Sequence, residues 1–131
     1  TQMLHKDFKE YLNNQSRIRV TWSCSAKLSI SGESEADCIK PDVARDYASV
    51  SGSHLYFKFV VGDRADIEEA GRAVETFRMG GVECPVYCMP LGGRSEEYNL
   101  NVQEVAEVCM ERGWRFTPRL HISLFGNAWG T

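Results

Sequence analysis

The sequence predicts an α/β fold of about four parallel strands alternating with helices, and three observations predict it. Amphipathic helical stripes alternate with short apolar runs along all 131 residues, with no low-complexity stretch between them. The run Leu55-Tyr56-Phe57-Lys58-Phe59-Val60-Val61 is apolar at nearly every position, the pattern of a parallel strand covered on both faces. Glycine or proline punctuates the transitions, at Pro41, Gly62, Gly80-Gly81, Pro90 and Gly113. Such alternation implies right-handed crossovers between parallel neighbours. Four strands do not close a barrel, since an eight-stranded one takes about 250 residues. The chain, a single domain over residues 1–131, is therefore half of something larger or a small open sheet.

The elements follow in order. Residues 2–14 place Leu4, Phe8, Tyr11 and Leu12 on one helical face, opposite Lys6, Asp7, Lys9 and Glu10. Ile18, Val20 and Trp22 then alternate with Arg17, Arg19 and Thr21 as a first strand. Cys24 to Lys40 reads as a polar loop. Pro41 and Asp42 open a short helix with Val43, Tyr47 and Val50 as its apolar face. The second strand, 55–61, ends at Gly62-Asp63, where Asp63 or Asp66 can cap a helix over about 66–79. That helix carries Ile67, Ala70, Val74 and Phe77 on one stripe. A third strand covers 84–89. After the Leu91-Gly92-Gly93 turn, a helix near 96–112 buries Val102, Val105, Ala106 and Cys109. Arg115 to Phe125 reads as a last strand interrupted at Pro118.

Composition narrows the function. A formal charge of -3 offers no basic field for nucleic acid, and no apolar run is long enough to span a membrane. The five cysteines, odd in number and irregularly spaced, do not form a secreted disulfide framework, so a reducing cytoplasm is expected. No C-x-x-C pair is present, and no metal site is predicted. Cys84 and Cys88 read as small apolar fillers on one face of a strand. The chain opens on Thr1 rather than Met, as expected of a fragment.

Parallel α/β folds bind ligands beyond the carboxyl ends of their strands. The polar residues there are Ser23, Ser25 and Lys27 after the first strand, Asp63 and Arg64 after the second, Met89 and Arg94 around the third, and Arg119, His121, Ser123 and Asn127 at the fourth. Cations and hydroxyls at three of these ends suit an anionic or zwitterionic ligand. Lys27 with Ser25 can grip a carboxylate, although a solvated loop lysine has the same sequence pattern. Lys58 is either a paired charge facing a barrel interior or a lysine protecting an edge strand. His121 stands beside Arg119 in an apolar run, where a structural histidine is the commoner occupant. His121-Ile122-Ser123-Leu124 also matches the motif of two-histidine phosphoesterases, but no second copy follows His5 or His54.

Three stretches resemble the 7-carboxy-7-deazaguanine synthase family, in order and across nearly the whole chain. Trp22-Ser23-Cys24-Ser25-Ala26-Lys27-Leu28 is similar to the family's Ser-Pro-Lys-Leu strand end. Leu55 to Val61 is similar to its LKFVV strand. Val86-Tyr87-Cys88-Met89-Pro90, continuing through Pro118-Arg119-Leu120-His121 to Gly130, is similar to its closing segments.

The resemblance implies a partial, half parallel β/α barrel. It implies the C-terminal half of a radical S-adenosylmethionine enzyme of queuosine and deazapurine biosynthesis, a lyase. The complete enzyme contracts the ring of 6-carboxy-5,6,7,8-tetrahydropterin with loss of ammonia, using a [4Fe–4S] cluster, S-adenosylmethionine and magnesium. It places Ser25, Lys27 and the Met89 position against S-adenosylmethionine. It places His121 against the pterin, with Lys58 and Arg119 as further substrate contacts. Ser25, Lys27 and His121 are expected to converge on one rim. Ala26 replaces the family's usual proline, and Met89 stands where some members carry a glutamine. The C-x-x-x-C-x-x-C cluster motif and the Gly-Gly-Glu segment are missing, so this chain alone is expected to hold no cofactor and to be inactive. The alternative is a non-enzymatic module that assembles with itself, as a homodimer covering its sheet edge.

Overall fold

The computed structural model describes residues 2–126. Four strands, β1 (Val20–Cys24), β2 (Ser53–Val61), β3 (Val86–Pro90) and β4 (Arg115–Phe116), form one sheet in the order β1-β2-β3-β4, every pair parallel. The expected half-barrel architecture is therefore present. Strand order follows chain order, so the crossover helices lie on one side of the sheet. These are α3 (Pro41–Ala48), α4 (Arg64–Met79) and α5 (Ser95–Arg112), with α1 (Lys6–Asn13) preceding β1. Among the described residues no helix is long and apolar enough to cross a membrane.

The core lies between that helical layer and one face of β2. Leu55, Phe57, Phe59 and Val61 are buried in alternation with half-buried Tyr56, Lys58 and Val60. Period two makes this obligatory, because successive side chains leave opposite faces of a strand. Phe57 stacks on Phe77 of α4 at 4.2 Å, among Ile67, Ala70 and Ala73. The strand is thus covered on one face, where its near-continuous apolar run suggested two. Cys24, Val86 and Cys88 share the covered face, as does half-buried Cys84, in line with the filler reading of the last two cysteines.

Local chemistry fixes the turns. At the end of β2, Asp63 caps α4 by accepting the Asp66 N–H at 2.9 Å, while the Asp66 carboxylate accepts the Gly62 N–H at 2.7 Å. Both candidate caps are used, one for the helix and one for the turn before it. After β3, Gly92 adopts φ +140, and a Cβ there would stand 2.6 Å from the Tyr98 backbone. Only glycine lets this turn lie against the first turns of α5.

Two segments depart from the sequence reading. The loop from Cys24 to Lys40 contains a 3-10 turn at Ser29–Ser31 and a short helix α2 (Glu35–Cys38), with Ser34 as its N-cap. Cys24, Ala26 and Leu28 are buried in alternation, so the chain stays extended past the last ladder pair. The tail is the larger correction. β4 stops at Phe116, and Leu120–Phe125 forms a helix, α6, rather than the rest of a strand. The Thr117 N–H still reaches the Cys88 carbonyl at 3.0 Å, but Pro118 has no N–H to continue the ladder. The Arg119 N–H is taken instead by the Tyr98 hydroxyl at 3.0 Å. Asn127 to Gly130 lie outside the described residues.

Truncating Phe57, 1% exposed, to alanine should cost about 3–5 kcal/mol, read as a lowered midpoint in urea unfolding. Phe8→Ala on α1, 47% exposed, should leave that midpoint within about 0.5 kcal/mol.

Candidate functional site

The face of the sheet away from the helices carries the polar residues. Register places Ser23 beside Tyr56, Lys58 beside Tyr87 and Val60 beside Met89. Tyr87 pairs in turn with Arg115, whose guanidinium donates to the Tyr87 hydroxyl at 2.7 Å and lies 5.4 Å from the ring centroid. Tyr56 and Tyr87 meet at 4.9 Å between ring centroids. Lys58 therefore projects from the concave side of a half-barrel, and β2 is a central strand, not an edge. That removes the edge-strand reading of this lysine without supplying the partner that the other reading expected. Among the described residues no carboxylate pairs with it.

At the carboxyl end of the sheet a cleft of about 210 Å³ opens between the segment after β1 and the segment after β4. Ser25, Lys27, Ser31, Val60, Leu91 and Arg119 line it. Its walls hold two cations and no acidic side chain. The Arg119 Nε is buried without a hydrogen-bond partner, and no described carboxylate pairs with Lys27 or Arg119. A buried guanidinium nitrogen without an acceptor is costly, and an oxyanion in the cleft would remove that cost. Arg119 is held in place through its backbone by Tyr98, which the close approach of Gly92 fixes on α5.

Ser25, Lys27 and Arg119 thus come together. Met89 lies just below, beside Val60 on the same face. His121 does not line the cleft; it is exposed on α6. Its motif lies on a helix, whereas the sequence suggested a strand. Tyr56, Tyr87 and Arg115 went unnoticed in the sequence. Their signal was the same period-two alternation that places Lys58, legible once the covered face is known.

Four of the five cysteines stand apart from this site, while Cys38 on α2 lies against the Lys27 backbone. Cys24, Cys84, Cys88 and Cys109 belong to or pack against the core under the helices. Burial pushes the Cys84 thiol up to about 11, and raises those of Cys88 and Cys109. These three are neutral at pH 7, and the thiolate is the form that binds metal. Among the described residues no three His, Cys, Asp or Glu side chains are grouped to hold a metal ion.

Over 109 residues the chain is 34% identical to a 7-carboxy-7-deazaguanine synthase of Pyrobaculum aerophilum, covering 83% of this chain and 45% of that one. Over 98 residues it is 35% identical to the 7-carboxy-7-deazaguanine synthase of Halobacterium salinarum, covering 70% of this chain and 37% of the relative. The chain is a homologue of the 7-carboxy-7-deazaguanine synthases. It spans less than half the length of either synthase. No family model and no solved structure matches it.

Two outcomes follow from the site's geometry. Tyr98→Phe in the synthase homologue leaves the Arg119 N–H without its acceptor and should destabilise the fold by about 1–3 kcal/mol in urea unfolding. The raised thiols set a pH dependence. Cys84 titrates near 9.0 when unfolded and about 11 when folded, so the folded state keeps the proton longer. Its contribution is intact below pH 9 and is lost as pH climbs toward 11, with a slope up to about 1.4 kcal/mol per pH unit. Cys84→Ala should flatten that decline.

Proposed function

We propose that the chain is the cofactor-gripping, C-terminal half of a radical S-adenosylmethionine 7-carboxy-7-deazaguanine synthase. The observation that carries this is the cleft at the carboxyl end of the sheet, lined by Lys27 and Arg119 and by no acidic side chain. In this reading Lys27 and Arg119 bind the carboxylate of S-adenosylmethionine, Ser25 donates to it, and Val60 and Leu91 cover the aliphatic portion. Arg119 moves from the substrate, where the resemblance put it, to the cofactor. S-adenosylmethionine, when bound, supplies the radical precursor for hydrogen abstraction. The chain's own residues bind it, orient it and exclude water from one side.

The concave face below the cleft serves the substrate. Lys58 offers a cation to the carboxylate of 6-carboxy-5,6,7,8-tetrahydropterin, and Tyr56 and Tyr87 offer aromatic surface to its ring. His121 approaches the pterin from a different wall. In the complete enzyme the product is 7-carboxy-7-deazaguanine, formed with loss of ammonia.

The described cysteines do not fit a [4Fe–4S] cluster. Cys24, Cys84, Cys88 and Cys109 are buried in or against the helix-covered core, Cys38 is buried apart from them on α2, and no thiol lines the cleft among the described residues. Cluster and magnesium belong, in this reading, to the part of the enzyme outside the match. This chain therefore supplies binding and orientation, and it is inactive by itself. The two-histidine phosphoesterase reading has no second motif and no strand under His121.

The test is S-adenosylmethionine binding, measured by calorimetry on this chain fused behind the unmatched part of the Pyrobaculum aerophilum synthase. Lys27→Ala and Arg119→Ala should each weaken binding about 10- to 100-fold, the loss of one charge-assisted contact, without lowering the unfolding midpoint. Dissociation constants unchanged in both variants would remove the assignment. His121→Ala should weaken the pterin and spare the cofactor.

A further inference from the structure

The wall of the cleft that carries Lys27 lies beyond the sheet ladder. The paired positions of β1 and β2 end at Cys24 with Phe57, and the chain runs on through Ser25 and Lys27 to the 3-10 turn at Ser29–Ser31. Leu28 is the N-cap of that turn, and its side chain can cap nothing. The Ser29 N–H is taken instead by a residue 40 positions along the chain. One oxygen of the Glu69 carboxylate, on α4, accepts that N–H at 2.7 Å, and the other accepts the Ser29 hydroxyl at 2.6 Å. Both are charge-assisted hydrogen bonds. Among the described residues Glu69 makes no ion pair. The N–H and the hydroxyl of Ser31 both return to the Leu28 carbonyl, at 2.9 and 2.7 Å. The turn is thus closed on itself, and Glu69 ties it to α4.

Glu69 follows Asp66 by one helical turn and shares its face of α4. Asp66 holds the Gly62 N–H at the end of β2, so one face of this helix supplies an acid to each of two strand ends. The segments meet over Gly62, where a Cβ would lie 3.5 Å from Ile30 and 3.1 Å from Leu91, both of which line the cleft. Lys27 lines it too, and Glu69 does not. Glu69 therefore makes no contact with a ligand held there, and its negative charge opposes the entry of an anion. What it can give such a site is geometry.

We propose that Glu69 is a positioning residue of the cleft: by clamping Ser29 to α4 it holds Lys27 where Lys27 and Arg119 meet the same carboxylate ligand. Without the clamp the ligand has to order the segment from Ser25 to Ser31 itself, which costs affinity. The role rests on the functional reading in that the cleft takes an oxyanion, whichever oxyanion that is.

The test is S-adenosylmethionine binding by calorimetry to the single-chain fusion, with amide exchange read alongside. Glu69→Ala should weaken binding about 10-fold, although losing a negative charge near an anion site would by electrostatics alone tighten it. Exchange at the Ser29 amide should quicken about 10-fold, with that of Phe57 in the core unchanged. Ser29→Ala removes one of the two bonds without touching α4 and should weaken binding about 3-fold. Glu69→Gln keeps an acceptor for the Ser29 N–H and a partner for its hydroxyl, and should restore binding to within about 3-fold of the unsubstituted protein. In a Lys27→Ala background Glu69→Ala should add less than about 2-fold, because a residue that acts through Lys27 then has nothing to position. Binding unchanged or tighter in Glu69→Ala, while Lys27→Ala still weakens it, overturns the proposal and leaves the functional reading standing. So does full additivity of the two changes. If the unsubstituted fusion binds no S-adenosylmethionine, the functional reading is lost, and inorganic phosphate titrated against this chain alone decides. Phosphate-induced amide shifts at Ser25–Ser31 that Glu69→Ala diminishes support the clamp. Shifts that it leaves intact, or no shifts in either protein, overturn it.

Discussion

The burial of one face of β2 is the constraint on which everything else depends. Leu55, Phe57, Phe59 and Val61 go under the helices, and the alternation of a strand then sends Tyr56, Lys58 and Val60 to the other side. Slipping the strand by one residue would exchange the two sets, placing a lysine in the core and phenylalanines on the concave face. The cost of burying that unpaired ammonium exceeds anything packing could return. Register and the character of the concave face are therefore one fact.

A division of chemistry across the sheet follows. Cys84, Cys88 and Cys109 collect on the helix-covered side, where desolvation keeps their thiols protonated. Cations, hydroxyls and phenols collect on the concave side and at its carboxyl end, where Lys27 and Arg119 have no described carboxylate partner. Such a surface suits anionic small molecules and not metal ions. The match covers less than half the length of either synthase.

The turns show how little freedom the site has. Asp63 and Asp66 fix the exit of β2, Gly92 lets the next turn lie against α5, and Tyr98 carries that position across to the backbone of Arg119. Three strand ends are thus linked by hydrogen bonds and one close approach before any ligand is present. Preorganisation of this kind spares a bound ligand the entropy of ordering its contacts.

By itself the sequence determined the fold class, the order of the strands and of the longer helices up to Gly113, Asp63 as a candidate cap of α4, and the residues Ser25, Lys27 and Arg119 as strand-end candidates. Those features are local or periodic, and spacing alone expresses them. Tertiary structure decided the rest. It showed that β2 has one covered face, that Lys58 looks into the concavity, and that the tail after Pro118 is a helix carrying His121 away from the cleft. None of this was legible, because an apolar run reads the same whether one or two of its faces are covered. A short tail likewise takes its conformation from distant partners, here the Tyr98 hydroxyl and the Cys88 carbonyl, which no neighbouring residue in the chain announces.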